Sequence, residues 1–457
     1  MQAALAPFQE AHATALAQPV ANFFSPVPPA QDPGRLYDFS RASNEVQIEN
    51  DVRHVLKHNK TTRMTNKESG AWVEIIVSYW RAVKEIIKAE EASNQGRAGA
   101  IQYVAVYDAW KDLTSSFIKH ISGGALPAWG IFTLYFTANH LRRIAIKADE
   151  QLAKSKPATV NNSFSEDIVS AVAQNQKLEE AARVFNRIFA LCLGDRNPDL
   201  NESRKWGVYC VANLQFKTYF KLKAISLSKN VVRSIEAQSD LPPFDLYPKA
   251  HRVTYLYYTG VIAFLQEDYT KAERHLQQAW DACYSGAETN RSLILTYLIP
   301  CRLITQHVVP KAPLLAASPR LERIFGPLVA CIRRGDLTGF DKALAEGEPE
   351  FVKRRIFLTL ERSRDIALRN LLRKVYLAGG YDDLKEGQTE KDRIRKSRIP
   401  LVNFAAALRM GGQAVEDDEV ECLLANQIYK GLMKGYISRE HQMIVLNKKG
   451  AFPGTGI

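Results

Sequence analysis

Glu416-Asp417-Asp418-Glu419-Val420-Glu421-Cys422-Leu423-Leu424-Ala425-Asn426-Gln427-Ile428-Tyr429, followed by Tyr436-Ile437-Ser438 and Met443-Ile444-Val445-Leu446, is the stretch that decides the fold. Acidic residues crowd the first turn of the expected helix, and Lys430 and Lys434 lie near its last, as a helix dipole favours. Two short β segments follow, joined by the polar turn Arg439-Glu440-His441-Gln442. Upstream, a helix is expected to open at Ile399-Pro400-Leu401, carry Phe404, Leu408 and Met410 inward, and break at Gly411-Gly412. Two helices and a hairpin between 399 and 453 make a winged helix. Such a module offers a partner a helix, a hairpin edge and several cations, and no catalytic group.

The chain around it has 457 residues, 46% hydrophobic and 24% charged, ordinary for a globular protein with a large core. Lys+Arg minus Asp+Glu is 61 − 49 = +12. That surplus suits an anionic partner, and equally a solubilising surface. The six cysteines are scattered without a C-x-x-C pair, and most, lying among apolar residues, read as buried free thiols in a reducing compartment. The first residues lack a charged segment leading into an apolar core, so no secretory signal is expected. The stretch from Lys119 to Arg142 is interrupted by Gly123-Gly124 and Pro127. It reads as a buried helix rather than a membrane span.

Residues 1–35 mix Ala with Pro19, Pro26, Pro28, Pro29 and Pro33. They read as a flexible arm holding at most one short helix from Ala3 to Leu16. Helical periodicity then dominates 36–245. Val73, Ile76, Val77, Trp80, Val83 and Ile87 recur at three and four. Further helices are expected over Ile101–Ile118, Ser165–Leu193, Lys205–Tyr219 and Tyr219–Ile235, with Asp149–Ser165 a loop or a helix end. Trp206, Tyr209, Phe216 and Tyr219 share a face and read as core. Between 246 and 378, Gly260 and Ala272 let two helices approach, Tyr257, Phe264, Tyr269 and Trp280 fill the space, and Gln266-Glu267-Asp268 is the turn. Such a hairpin buries its faces only against neighbours. A long Arg-rich helix from Phe351 to Leu377 and a basic surface loop over 379–398 lead into the winged helix.

Four sets of residues resemble the PCI proteins, the scaffold subunits of the proteasome lid, the signalosome and a translation-initiation complex. They are Tyr257-Tyr258-Thr259-Gly260 with Asp268-Tyr269-Thr270-Lys271-Ala272-Glu273, Ile294 to Pro300, Arg369-Asn370-Leu371, and Glu419 to Asn426 with Ile428-Tyr429-Lys430-Gly431, Lys434 to Ser438 and Phe452-Pro453. Together they resemble the subunit-twelve-like branch of the COP signalosome and its Thp-type relatives in a transcription-and-export complex. The resemblance implies an all-α fold, a right-handed TPR-like solenoid ending in a winged helix, with the PCI domain over 246–453. It implies a non-enzymatic scaffold that pairs with a second PCI subunit through the winged helices and is gripped by a small acidic Sem/DSS-type protein. In the export-type relatives the joined winged helices bind nucleic acid, in the nucleus and cytoplasm; a signalosome subunit without nucleic-acid contact is the other branch.

No phosphate loop, dinucleotide fingerprint, zinc-protease helix or nucleophile elbow is present, and no cofactor is expected. His54 and His58 are spaced as a metal edge but lack a third ligand, so a solvated helix face explains them. The acidic run Glu416–Glu421 is explained by its helix N-terminus.

Three cationic groups remain. At about 100° per residue, Arg355, Arg362, Arg369 and Arg373 fall within about 40° on one face of the long helix. That stripe is a solvated face, a pairing with acids of an adjoining helix, or a contact for an acidic partner or nucleic acid, and arginine favours the paired readings. Arg369 matches a family position and reads as a structural pairing. Lys430, Lys434, Arg439, Lys448 and Lys449 gather at the winged-helix rim, for phosphate or for solubility. Arg393, Arg395, Lys396 and Arg398 add nonspecific contacts or a nuclear-import signal. The strand with Met443 and Val445 reads as an edge open to a partner. No exposed aromatic ladder accompanies these cations, so base stacking is not expected.

Overall fold

A computed structural model describes residues 1–14, 16–58, 64–97, 99–155, 175–382 and 394–457. The chain forms two compact units, Met1–Tyr255 and Leu256–Ile457. It is helical throughout apart from one three-stranded sheet and an isolated bridge among the described residues. Among these residues no helix is long and apolar enough to cross a membrane. No group of three or more His, Cys, Asp or Glu among them gathers as a metal site.

In the first unit the helix Asn66–Asn94 starts where the Thr65 hydroxyl accepts the Glu68 amide at 3.1 Å. This cap satisfies one of the four orphan donors of a helix start. All six residues of the apolar repeat, Val73 to Ile87, are buried. Ala100–Ser122 and Gly130–Ser155 follow, and the Trp110 indole donates to the Thr137 carbonyl at 2.9 Å. Asp149 to Ser155 form the end of the latter helix, the second of the two expected readings, and 156–165 lie outside the described residues. The buried Asp149 carboxylate accepts the Lys177 and Leu178 amides at 2.9 Å each, capping the helix Gln176–Leu193 from outside. Tyr209, Phe216 and Tyr219 are buried in or around the helix Val208–Lys221, and Trp206 is half-buried just before it.

The expectation of a flexible arm over 1–35 is overturned. Helices span Gln2–Ala13 and Ala17–Phe23, and Leu5, Phe8, Val20 and Phe24 are fully buried. Phe8 meets Trp72 edge-on at 5.0 Å, Phe24 meets Phe117 at 5.2 Å, and the Tyr79 hydroxyl donates to the Ser25 carbonyl at 2.8 Å. The prolines do not prevent this. Pro19 occupies a first helical turn, where a missing N–H is tolerated, and Pro26, Pro28 and Pro29 lie in the following loop.

In the second unit Gly260 faces Leu276 across the helices Lys249–Leu265 and Tyr269–Ala282, and an added Cβ would sit 2.7 Å from Leu276 Cγ. Asp268 accepts the Lys271 amide at 3.0 Å and starts the second helix. Beyond Glu288–Thr305 and Pro319–Arg334, left-handed Gly335 turns the chain into Leu337–Arg354. Here the expected long helix fails. Arg355 adopts φ +58, closing Leu337–Arg354, and Phe357–Arg362 and Arg364–Ala378 follow as separate helices about Ser363. The Ile356 amide bonds the Phe351 carbonyl at 3.0 Å while Ile356 is fully buried, which favours the break over continuation. A face counted through that break is not a face, so Arg355, Arg362, Arg369 and Arg373 form no single stripe.

The chain ends in an antiparallel sheet of order β1-β3-β2: β1 Arg398–Pro400, β2 Gly435–Ser438 and β3 Met443–Leu446. Arg398 lies opposite Val445 on one side of β3, and Tyr436 opposite Val445 on the other.

Candidate nucleic-acid and partner interface

The winged helix packs Ile399, Phe404, Leu408, Val420, Leu424, Ile444, Leu446 and Phe452 in one core. Its first helix is Leu401–Met410, since Ile399 and Pro400 belong to β1. Met410, expected inside, is 89% exposed. The second helix, Asp417–Tyr429, opens with a capping box in which the Glu416 amide bonds Glu419 Oε2 at 3.0 Å. The expected edge strand is the central one. β3 is paired on both sides, so Met443 and Val445 have no free backbone row to lend a partner. The free edges belong to β1, shortened by Pro400, and to β2. Proline cannot donate to a ladder, which leaves proline-free β2 as the edge with the fuller row of donors.

The strand register sorts the predicted cations. Gly435 pairs with Leu446, the Asn447 amide bonds the Lys434 carbonyl at 2.9 Å, and the Leu446 amide bonds the Ser397 carbonyl at 2.8 Å. Lys396, Lys434, Lys448 and Lys449 therefore meet at one end of the sheet, with Arg398 beside them on β1. All five side chains are exposed. Among the described residues none of them enters an ion pair.

The remaining predicted cations lie elsewhere. Lys430 reaches Asp365 at 2.6 Å, which ties the second helix to Arg364–Ala378. Arg439 sits at the opposite end of the hairpin, 3.7 Å from Glu421. Arg395 lies over the Tyr381 ring at 4.5 Å and donates to the Leu377 carbonyl at 3.4 Å. Arg393 lies outside the described residues. Both ends of the expected basic loop are paired, with the Asp382 amide on the Ile394 carbonyl at 2.8 Å and Tyr381 bridging Arg395.

The former stripe resolves into separate roles. Arg362 pairs with Glu267 at 2.9 Å, raising its own pKa through that bond. Arg369 is buried and donates to the His307 carbonyl at 3.5 Å; burial, then neighbouring Arg373, push its pKa down. Arg355 is exposed and Arg373 half-buried, neither in an ion pair among the described residues.

Two features escape the sequence reading. Tyr429 is 89% exposed and Tyr436 63% exposed, flanking the second helix and the β2 edge. A signal exists for Tyr429. It stands nine residues from buried Val420, half a turn away at about 100° per residue. Arg364 also clasps Asp341 through Nε at 2.7 Å and Nη2 at 3.0 Å, and reaches Gln413 at 2.9 Å. With Thr338 donating to the Gly411 carbonyl at 2.6 Å, this anchors the winged helix to the helices before it.

The profile of the PCI domain matches residues 345–448, which spans these helices and most of the winged helix. The chain is 47% identical over 458 residues to a Gibberella zeae protein named Protein CSN12 homolog, covering 98% of each chain. It is 49% identical over 418 residues to the Neurospora crassa protein of that name, covering 89% of this chain and 90% of the relative. PCI domain-containing protein 2 of Xenopus laevis is 31% identical over 352 residues, 77% of this chain and 79% of the relative. A winged helix on helical hairpins, matched over nearly its whole length by such relatives, places this chain in the PCI-domain family of CSN12 homologues.

Proposed function

We propose that this chain is a non-catalytic scaffold that pairs through its winged helix with a second PCI-domain protein and presents a cationic rim to RNA or DNA. A small acidic protein of the Sem/DSS type completes the assembly, which acts in transcription-coupled messenger processing or export, in the nucleus and cytoplasm. One observation carries the reading: Lys396, Arg398, Lys434, Lys448 and Lys449 converge at one end of the sheet without acidic partners among the described residues. Such a rim binds phosphate without choosing sequence. The β2 edge with Tyr436, and exposed Tyr429 at the end of the second helix, supply the apolar contact and unpaired backbone groups that a second winged helix needs.

The test is the purified heteromeric complex carrying Lys434→Glu, Lys448→Glu and Lys449→Glu together. The rim reading expects weaker RNA and DNA binding and a shallower dependence of affinity on salt. Unchanged affinity with an unchanged slope would leave these lysines as a solubilising surface. The name CSN12 homolog carried by the fungal relatives favours the second reading in that case: an accessory subunit of the signalosome that regulates protein modification without touching nucleic acid.

A further inference from the structure

A cation-lined cavity lies in the unit Leu256–Ile457, outside the residues matched by the PCI profile. It has a volume of about 680 Å³ and sits where the helices Glu288–Thr305 and Pro319–Arg334 begin. Arg291, Lys311 and Arg320 line it against a single carboxylate, Glu288. Among the described residues none of the three cations forms an ion pair. Neither helix start has a side-chain cap, so backbone N–H groups there add positive potential to that of the side chains. Half-buried Arg354 lies beside Arg320 and pairs with Glu350; burial, then Arg320, lower its pKa.

Aromatic faces accompany the cations. The Arg291 guanidinium lies over the Trp280 ring, 3.7 Å from its centroid, with Nη1 donating to the Cys283 carbonyl at 3.4 Å, and both residues are half-buried. Tyr284, in the loop leading to the cavity, is 77% exposed. Its ring lies against Gly286, where an added Cβ would stand 2.6 Å from Cε1. Planar platforms beside cations suit a base with its phosphate. An acidic peptide would use the cations and leave the planar faces idle, and a duplex would keep its bases stacked away from them. The size is within the range that holds a small ligand.

We propose that this cavity is a second nucleic-acid contact, taking one unstacked nucleotide of a single strand, with its base on Tyr284 or the Arg291–Trp280 stack and its phosphate on Lys311 and Arg320. The proposal rests on the nucleic-acid reading above and extends it to a site that reads single-strandedness, which the winged-helix rim does not.

The experiment measures binding of a 15-nucleotide oligouridine and of a duplex of equal length to the heteromeric complex by fluorescence anisotropy across a salt series. Three variants are compared, each checked for native circular dichroism: Lys311→Glu with Arg320→Glu, Tyr284→Ala, and the triple rim reversal. The double reversal is expected to weaken oligouridine binding about tenfold and to lower the salt slope by about 1.4, two single-strand phosphate contacts at about 0.7 each. Tyr284→Ala is expected to cost about fivefold or more with the slope unchanged, since stacking is not ionic. Duplex binding stays within twofold for both. If both cavity variants bind oligouridine as the unmodified complex does while the rim reversal abolishes binding, the cavity proposal is overturned and the rim reading stands. If the unmodified complex binds neither probe, the rim reading fails and the cavity proposal with it. Loss of the acidic protein from the complex on double reversal, with RNA affinity retained, also overturns it in favour of an acidic peptide.

Discussion

Gly335→Ala and Gly431→Ala form a pair of perturbations that separates a backbone cost from a packing cost. Both glycines end helices in the same way. The Gly335 amide bonds the Ile332 carbonyl at 3.2 Å and the Asp336 amide bonds the Cys331 carbonyl at 3.0 Å; Gly431 and Leu432 repeat this with Ile428 and Gln427, both at 3.0 Å. Both are left-handed, with φ +65 and φ +69. Alanine in that conformation costs about 1–2 kcal/mol at either site. The surroundings differ. Nothing lies within 4 Å of a Cβ added at Gly431, whereas at Gly335 it would meet the Leu371 amide nitrogen at 2.7 Å and Leu371 Cα at 2.9 Å. These are backbone atoms in the middle of the helix Arg364–Ala378, and they yield only if the helix moves. Overpacking of that kind adds about 1–3 kcal/mol. Gly335→Ala is therefore expected to cost about 2–5 kcal/mol and Gly431→Ala about 1–2 kcal/mol. Urea unfolding of the full chain, followed by circular dichroism with the m-value checked for constancy, reads the difference. Equal costs within about 0.5 kcal/mol would refute the close approach of these helices.

Phe24→Ala should destabilise the first unit by about 3–5 kcal/mol, because the ring is fully buried against Trp72, Tyr79 and Phe117; a loss under 0.5 kcal/mol in urea unfolding would restore the flexible arm. Burial, and then Arg143, push the His140 pKa down to about 4. The unfolded chain, near 6.5, then binds the proton first, so stability is intact above pH about 6.5 and falls as pH drops toward 4. His140→Gln should flatten this fall, measured as urea midpoints at pH 7, 5.5 and 4.5. His251 and His307, also lowered by burial, leave a residual slope of the same sign. Lys430→Ala should change RNA affinity of the complex less than twofold, since Asp365 already holds the ammonium at 2.6 Å. Its stability cost should be under about 1 kcal/mol, as for half-exposed pairs; a tenfold affinity loss would return Lys430 to the rim.

The helices and the winged helix are legible in the sequence because period and capping are local properties. Val73 to Ile87 repeat with the helical period and are buried where the repeat places them. Glu416 and Glu419 are spaced for a capping box and form one. Structure departs from the local signal where the outcome depends on residues distant in the chain. Prolines at 19, 26, 28 and 29 mark where a chain bends, and say nothing about whether Phe8 and Phe24 have rings to meet. The Arg355 break depends on Ile356 finding a buried seat, which periodicity alone does not register. Strand order is the same kind of problem: β3 becomes central only because residues 45 positions upstream, Arg398 to Pro400, add themselves to its open side.

Charge shows the same division most sharply. Lysine and arginine are countable in a sequence, but their availability depends on which acids the fold brings near. Lys430 and Lys434 are four residues apart and look interchangeable at a helix end. The fold sets Lys430 against Asp365, 65 residues earlier, and leaves Lys434 beside Lys448 and Lys449 through the β2–β3 register. An exposed pair is worth at most about 1 kcal/mol in stability, yet it decides which cations remain to release counterions when a phosphate arrives. The net charge of +12 therefore overstates the ionic contacts this chain can make. The salt slope of the complex should follow the unpaired rim, and reversal of Lys434, Lys448 and Lys449 should lower it where reversal of Arg362 or Arg439 does not. Equal effects from paired and unpaired cations would show that net charge, and not the fold, sets the affinity.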